Sequence, residues 1–172
     1  MTELTLRAME PEDIDTIYRW ENDPDIWVYS AAHQPFSRNS LQKFIDEYSL
    51  LDIYTSRQMR LVAAEQGGKA CGCIDLYDFE PLHRRAAVGI MVDKTMRGTG
   101  IGTRMLTMLE DFVRQHLDLH MLYCDISIDN TASIRLFEKN GFKPCGTMHD
   151  WMLDSGRWTD AKRYQKIIKK PL

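Results

Sequence analysis

The run Arg97-Gly98-Thr99-Gly100-Ile101-Gly102 sets a glycine at every second position between an apolar stretch, "AAVGIMV", and an amphipathic one, "TRMLTMLEDFVRQHL". Few local structures use glycine so densely. Without a Cβ the chain can take left-handed backbone angles and bring its amides close to a ligand, which suits a turn leading from a strand into a helix. The helix is predicted over residues 103–117, where Met105, Leu106, Met108, Leu109, Phe112, Val113 and Leu117 form one broad apolar stripe. Free amides at such a helix start, together with the helix dipole, favour a phosphate-like anion. The Walker pattern is absent, because no Gly-Lys-Ser/Thr follows four spacer residues. The Rossmann pattern also fails: Thr103 takes its last glycine position, and residues 93–97 separate the glycines from the strand. Asp125, at the end of the next strand-like run, leaves nicotinamide binding open as an alternative.

Around this turn, strand-like and helix-like segments follow one another. "LTLRAM" alternates like a strand, and Pro11 stands where a helix can begin, with Ile14, Ile17, Tyr18 and Glu21 following at helical spacing. "PDIWVYSAAHQPFSRNS" is rich in turn formers and aromatics and reads as a loop of the kind that binds ligands, whereas "SLQKFIDEYSLL" reads as a second helix capped by Ser40. "QMRLVAAEQ", "ACGCIDLYDF" and "AAVGIMV", joined through "GGK" and "PLHRR", form an antiparallel meander. Beyond the long helix come a strand, "MLYCDISI", and a short helix, "NTASIRLFEKN", capped by Asn130 and ended by Gly141. A further strand, "FKPCGTM", precedes a hairpin that turns at Asp154-Ser155-Gly156. With no repeat or linker, the expectation is one α/β (α+β) domain over residues 1–172, built on a mostly antiparallel mixed sheet.

A net charge of −3 gives no support for a nucleic-acid surface, and the basic run Lys162, Arg163, Lys166, Lys169 and Lys170 reads as a solvated face. No apolar run approaches the roughly 20 residues of a membrane span. "MTELTLRAMEPED" is acidic where an export signal is basic and apolar, so a cytoplasmic chain is expected. Cys71, Cys73, Cys124 and Cys145 match neither a disulfide framework nor paired zinc ligands, and Cys71 and Cys73 read as small buried hydrophobes on one strand face. His116 and His120 stand four apart, but the helix is expected to end near Leu117, so no metal is expected. The terminal hairpin offers an edge through which copies of the chain could pair as a homo-oligomer.

With Walker and Rossmann patterns set aside, what remains is Arg97-x-x-Gly100-x-Gly102 between strand and helix, preceded by a meander and followed by strand, Asn-capped helix and strand. On these grounds the chain resembles the GNAT acetyltransferases, whose motif is Gln/Arg-x-x-Gly-x-Gly/Ala. "LRAMEPEDIDTIYRWEND", "HRRAAVGIMV", "RGTGIGTRML" and "DNTASIRLFEKNGF" occur in order and extend the likeness over nearly the whole sequence. They are similar to the branch that holds ribosomal-protein N-terminal acetyltransferases and spermidine N-acetyltransferases.

The resemblance implies transfer of acetyl from acetyl-CoA, as co-substrate, to a primary amine of a small molecule or a protein N-terminus, by direct attack in a ternary complex. It implies that the backbone of Met96, Arg97, Gly98, Thr99, Gly100, Ile101, Gly102 and Thr103 cradles the pyrophosphate, with Arg97 adding charge. The pantetheine arm is implied to run along Gly89, Ile90, Met91 and Val92, and Asn130, Ser133 and Phe137 to border the thioester end. Many relatives carry a glutamate base and a tyrosine proton donor where this sequence has Ala87 and Phe137, neither of which can move a proton. That departure motivates an alternative, a non-catalytic acyl-CoA-binding module. Candidates for the missing roles are Asp75 and Tyr77, two apart on one strand face, and His83 and His149 at strand ends. Glu21 and Asp78, with Asp23, Asp25, Asp75 and Glu80, would make an acidic cleft suited to a polyamine.

Overall fold

The computed structural model describes residues 3–27, 34–48, 50–154 and 156–168. Alternating and near-continuous apolar runs build one seven-stranded sheet: β1 (Leu4–Arg7), β2 (Met59–Glu65), β3 (Ala70–Glu80), β4 (Arg85–Val92), β5 (Met121–Ser127), β6 (Lys143–Asp154) and β7 (Arg157–Ile167). Their order in space is β1-β2-β3-β4-β5-β7-β6, and every neighbouring pair is antiparallel except β4 with β5. The expected meander is therefore present as β2 to β4.

The helices are α1 (Ile14–Glu21), α2 (Pro24–Trp27), α3 (Arg38–Tyr48), α4 (Ile53–Ser56), α5 (Ile101–Phe112) and α6 (Thr131–Lys139). They cover both faces of the sheet. On one face α5 and α6 bury Ile101, Met105, Leu106, Leu109 and Phe137 against Ala63, Ile74, Leu76, Val88 and Leu122. On the other, Ile17 of α1 and Leu41 and Ile45 of α3 close over Met9 and Val62. Each such aliphatic side chain contributes about 1.5–3 kcal/mol on burial. Burial on both sides explains why Leu61, Val62, Ala63 and Ala64 form an unbroken apolar run rather than an alternating one.

Several local details differ from the sequence expectation. Ser40 is not a cap: the Ser37 hydroxyl, before α3, accepts from the Ser40 amide at 3.1 Å, so the helix starts earlier. α5 begins at Ile101 and its last turn, Val113–Leu117, widens into a π-helix before Asp118 takes a left-handed φ of 48°. The strand and hairpin arm expected after Gly141 are one bulged strand, β6. Ser155 of the expected hairpin turn lies outside the described residues, as do residues 28–33 of the aromatic loop and Lys169 and Lys170 of the basic run. α2 and α4 were not legible as helices; α4 is set by Asp52, whose carboxylate accepts from the Thr55 amide at 2.8 Å. Asn130 does cap α6, accepting from the Ser133 amide at 3.1 Å. Cys71, Cys73 and Cys124 are buried thiols and Cys145 is exposed.

Candidate active site

β4 and β5 pair only through Arg85, Ala86 and Ala87 with Met121, Leu122 and Tyr123. Beyond these, β4 continues along β3 and β5 continues along β7, so the two strands part. A cleft of about 1190 Å³ opens at the gap and reaches from α1 and α3 to the start of α5. A smaller cavity of about 140 Å³ lies within the fork, between Val88 to Ile90 of β4 and Cys124 to Ser127 of β5.

The glycine turn closes one end of the cleft. Gly98 and Gly100 have φ of 76° and 87°, angles strained for any residue with a Cβ. Gly100 directly precedes α5. None of the amides of residues 97–103 donates to an acceptor among the described residues. An array of unpaired amides at the start of a helix is an anion site. Met96, Arg97, Gly98, Gly100, Ile101, Gly102 and Thr103 line the cleft, whereas Thr99 turns its hydroxyl back onto the Met96 carbonyl at 2.6 Å and does not.

Asp93 anchors the turn. Its carboxylate accepts from Trp20 Nε1 at 2.8 Å and Arg19 Nη2 at 2.9 Å, both on α1, and from the Thr95 amide and hydroxyl at 3.0 and 2.7 Å. Burial pushes this carboxyl up, but the hydrogen bonds from Trp20 and Thr95 and the charge of Arg19 outweigh it and hold it at about 2. α1 is thereby fastened to the loop at one end, and its last residue, Glu21, reaches the cleft.

The other end is organised by Arg60, which the sequence reading missed. Arg60 lies opposite Asp75 in the β2–β3 register. Its Nε and Nη2 donate to the two Asp75 oxygens at 2.8 Å each, and Nη1 donates to Glu21 Oε1 at 2.5 Å. Burial works against the Arg60 charge, but the carboxylates of Asp75 and Glu21 more than offset it, so the guanidinium stays ionised. The signal was present in sequence: Arg60 is the one charged residue between Met59 and Ala64. Beneath it, burial raises the Cys73 thiol to about 12, so it is no nucleophile at neutral pH. Phe44 and Tyr48 of α3 complete this wall.

Asp75 and Tyr77 share the cleft face of β3, as the spacing predicts, and sit opposite Gly89 and Ala87. Gly89, Ile90, Met91 and Val92 line the cleft, Asn130 and Ser133 line both cleft and cavity, and Phe137 lines the cavity alone. The histidines are elsewhere. His83 is exposed in the turn between β3 and β4, and His149 is exposed on β6, where its Nδ1 lies 2.8 Å from Asp160 Oδ2. Asp78 sits on a β3 bulge with φ of 48°, outside the cleft lining. The expected acidic surface is also largely compensated: Lys94 contacts Asp23 at 3.5 Å and Asp25 at 2.5 Å, while Arg60 serves Glu21 and Asp75. Among the described residues there is no cluster of three or more metal-ligating side chains, and no helix is long and apolar enough to cross a membrane.

A family model described as an acetyltransferase (GNAT) domain matches residues 3–143. A spermidine N(1)-acetyltransferase from Vibrio cholerae is 25% identical over 171 residues, covering 99% of this chain and 96% of the relative. Another, from Escherichia coli, is 27% identical over 161 residues, covering 92% and 82%. The crystal structure of the Vibrio cholerae spermidine N-acetyltransferase in complex with CoA and spermine superposes with a TM-score of 0.85, at 25% identity, over 96% of this chain and 95% of that one. The chain belongs to the GNAT acetyltransferase family. Its activity is acetyl-CoA-dependent N-acetylation of an amine, with acetyl-CoA as co-substrate.

Proposed function

We propose that the acceptor is a small polyamine and that Glu21 and Asp75, held by Arg60, receive one of its ammonium groups. The observation that carries this reading is the shared guanidinium: two carboxylates on one arginine leave one net negative charge at the acceptor end of the cleft. That charge is set beside Gly89, where the absence of a side chain leaves β4 bare; a Cβ there would stand 4.0 Å from Asp75 Oδ2. A cation bound at this point lies next to the strand along which the acyl donor is expected to run. The spermidine acetyltransferases among the relatives support the same acceptor class.

On this reading the amides of Arg97, Gly98, Gly100, Ile101, Gly102 and Thr103 hold the pyrophosphate of acetyl-CoA, and their lack of other partners among the described residues fits them for it, whereas the Met96 amide is already given to the Asp93 carbonyl at 2.9 Å. The backbone of Gly89 to Val92 receives the pantetheine arm as an added strand and polarises the thioester carbonyl. Asn130, Ser133 and Phe137 enclose the thioester end. An amine with pKa near 10 must reach the carbonyl neutral, which a partly desolvated cleft favours.

The test is acetyl-CoA-dependent thiol release with spermidine, spermine, an aminoglycoside, free amino acids and an N-terminal peptide. Polyamines should give the highest kcat/KM, and Asp75→Asn should raise the KM for spermidine about tenfold, the equivalent of about 1.4 kcal/mol, with little change for acetyl-CoA. A better aminoglycoside or peptide substrate, or an unchanged KM in the variant, refutes the assignment.

A further inference from the structure

We propose that Tyr77 donates the proton taken up by the departing coenzyme A thiolate. The inference rests on the acetyltransferase reading above and names a group for a step that reading leaves open. When the amine lone pair forms the new C–N bond, the C–S bond breaks with its electrons on sulfur. The thiolate must then gain a proton, and the nitrogen must lose one. The fork between β4 and β5 is where sulfur is released, so its donor must line both the cleft and the cavity within the fork.

Five residues do so: Tyr77, Gly89, Ile90, Asn130 and Ser133. Gly89 and Ile90 have no side-chain proton to give. The Asn130 side chain is committed to capping α6, and the Ser133 hydroxyl is too weak an acid. Tyr77 remains. Its hydroxyl has no hydrogen-bond partner among the described residues, and its ring stands 3.6 Å from the place where Gly89 would carry a Cβ. Small residues beside it, Ala87 directly opposite and Gly89 opposite Asp75, leave the ring uncrowded on the β4 side.

Three other proton carriers line the cavity but not the cleft, and the Ser127 hydroxyl is, like that of Ser133, too weak an acid. Cys124 is 2% exposed, and Asp125 is a carboxylate held by Arg163 through two 2.7 Å hydrogen bonds. The titratable and charged groups around the phenol are Asp75 and Asp78 on its own strand, Tyr123, Cys124 and Asp125 on β5, and Arg163 of β7 behind Asp125. Burial, aided by the negative charge of Asp125, pushes the phenol up, so it stays loaded at neutral pH. A thiolate formed in the same desolvated fork has its own proton affinity raised by the same effect, which favours its taking the phenol proton. Tyr77 is 38% exposed, so the phenol is reloaded from solvent, which also accepts the proton lost by nitrogen.

The experiment compares wild type with Tyr77→Phe, using spermidine and, as an acceptor that needs no recognition, hydroxylamine. The variant should bind acetyl-CoA with unchanged Kd and lose kcat by roughly 10²-fold with both acceptors. The loss should shrink with an acetyl thioester of a more acidic thiol, whose thiolate departs without needing the proton. Fluorinated tyrosine at position 77 still carries a hydroxyl, so it should retain most of kcat, and it keeps the test open should the phenylalanine variant misfold. Retention of kcat within about threefold in Tyr77→Phe, or a loss of equal size with the acidic thioester, overturns the proposal. If wild type acetylates hydroxylamine but not spermidine, only the polyamine reading fails; if it releases thiol to neither, both fail.

Discussion

Replacing Asp93 with asparagine should remove a pH-dependent part of the stability while leaving the shape of the side chain nearly intact. The folded carboxyl sits at about 2, against 3.8 for the unperturbed group. Because the folded value is the lower one, the stabilisation is fully present above the unfolded value and is lost as pH falls through the folded one. The gap between 3.8 and about 2 corresponds to about 2 kcal/mol, of which about 1 kcal/mol is gone by pH 3. With a carboxylate 9% exposed, little of this is screened by solvent. Urea denaturation of wild type and Asp93→Asn at pH 6 and pH 3 isolates the effect, since the other acids titrate alike in both. The wild-type advantage should shrink by about 1 kcal/mol between the two conditions. An advantage of equal size at both pH values would refute the argument, and would mean that the bonds from Trp20 and Thr95 do not depend on the charge.

Gly100→Ala forces a Cβ onto a φ of 87°, so the turn must shift, and isothermal titration should show acetyl-CoA binding weakened about tenfold, from a cost of roughly 1.4 kcal/mol. Asn130→Ala removes the α6 cap and should cost about 1 kcal/mol, read as a Tm about 3 °C lower. A thiol reagent should modify Cys145 at once in the native protein and Cys71, Cys73 and Cys124 only in denaturant; rapid native reaction at any of these three would contradict their burial.

What was legible in the sequence is what depends on local pattern. The glycine turn, the α5 stripe, the Asn130 cap and the three-strand meander each follow from the period of a single element or the chemistry of a single turn, and all are present. The Arg60 group is different. Glu21, Arg60 and Asp75 come from α1, β2 and β3, and only the Arg60↔Asp75 register brings their charges together. Reading carboxylates without their cations made the cleft look more acidic than it is. Likewise, histidine chemistry suggested His83 and His149, but chemistry does not fix position: a β3–β4 turn and an outer strand carried both away from the cleft. Tyr77 was legible as a residue of one face with Asp75, yet its double exposure to cleft and cavity depends on where β4 and β5 separate.

That separation has a mechanical side. Four strands on one flank and three on the other pair directly only through Arg85–Met121, Ala86–Leu122 and Ala87–Tyr123, next to which the Arg84 carbonyl accepts from the His120 amide, while beyond the fork the flanks meet through the side chains packed under α5 and α6. A molecule lying along β4 with its far end against α6 spans the seam and acts as a rivet. Occupancy of the cleft should then slow amide exchange in both flanks together, coupling the two halves of the sheet more tightly when the acyl donor is in place.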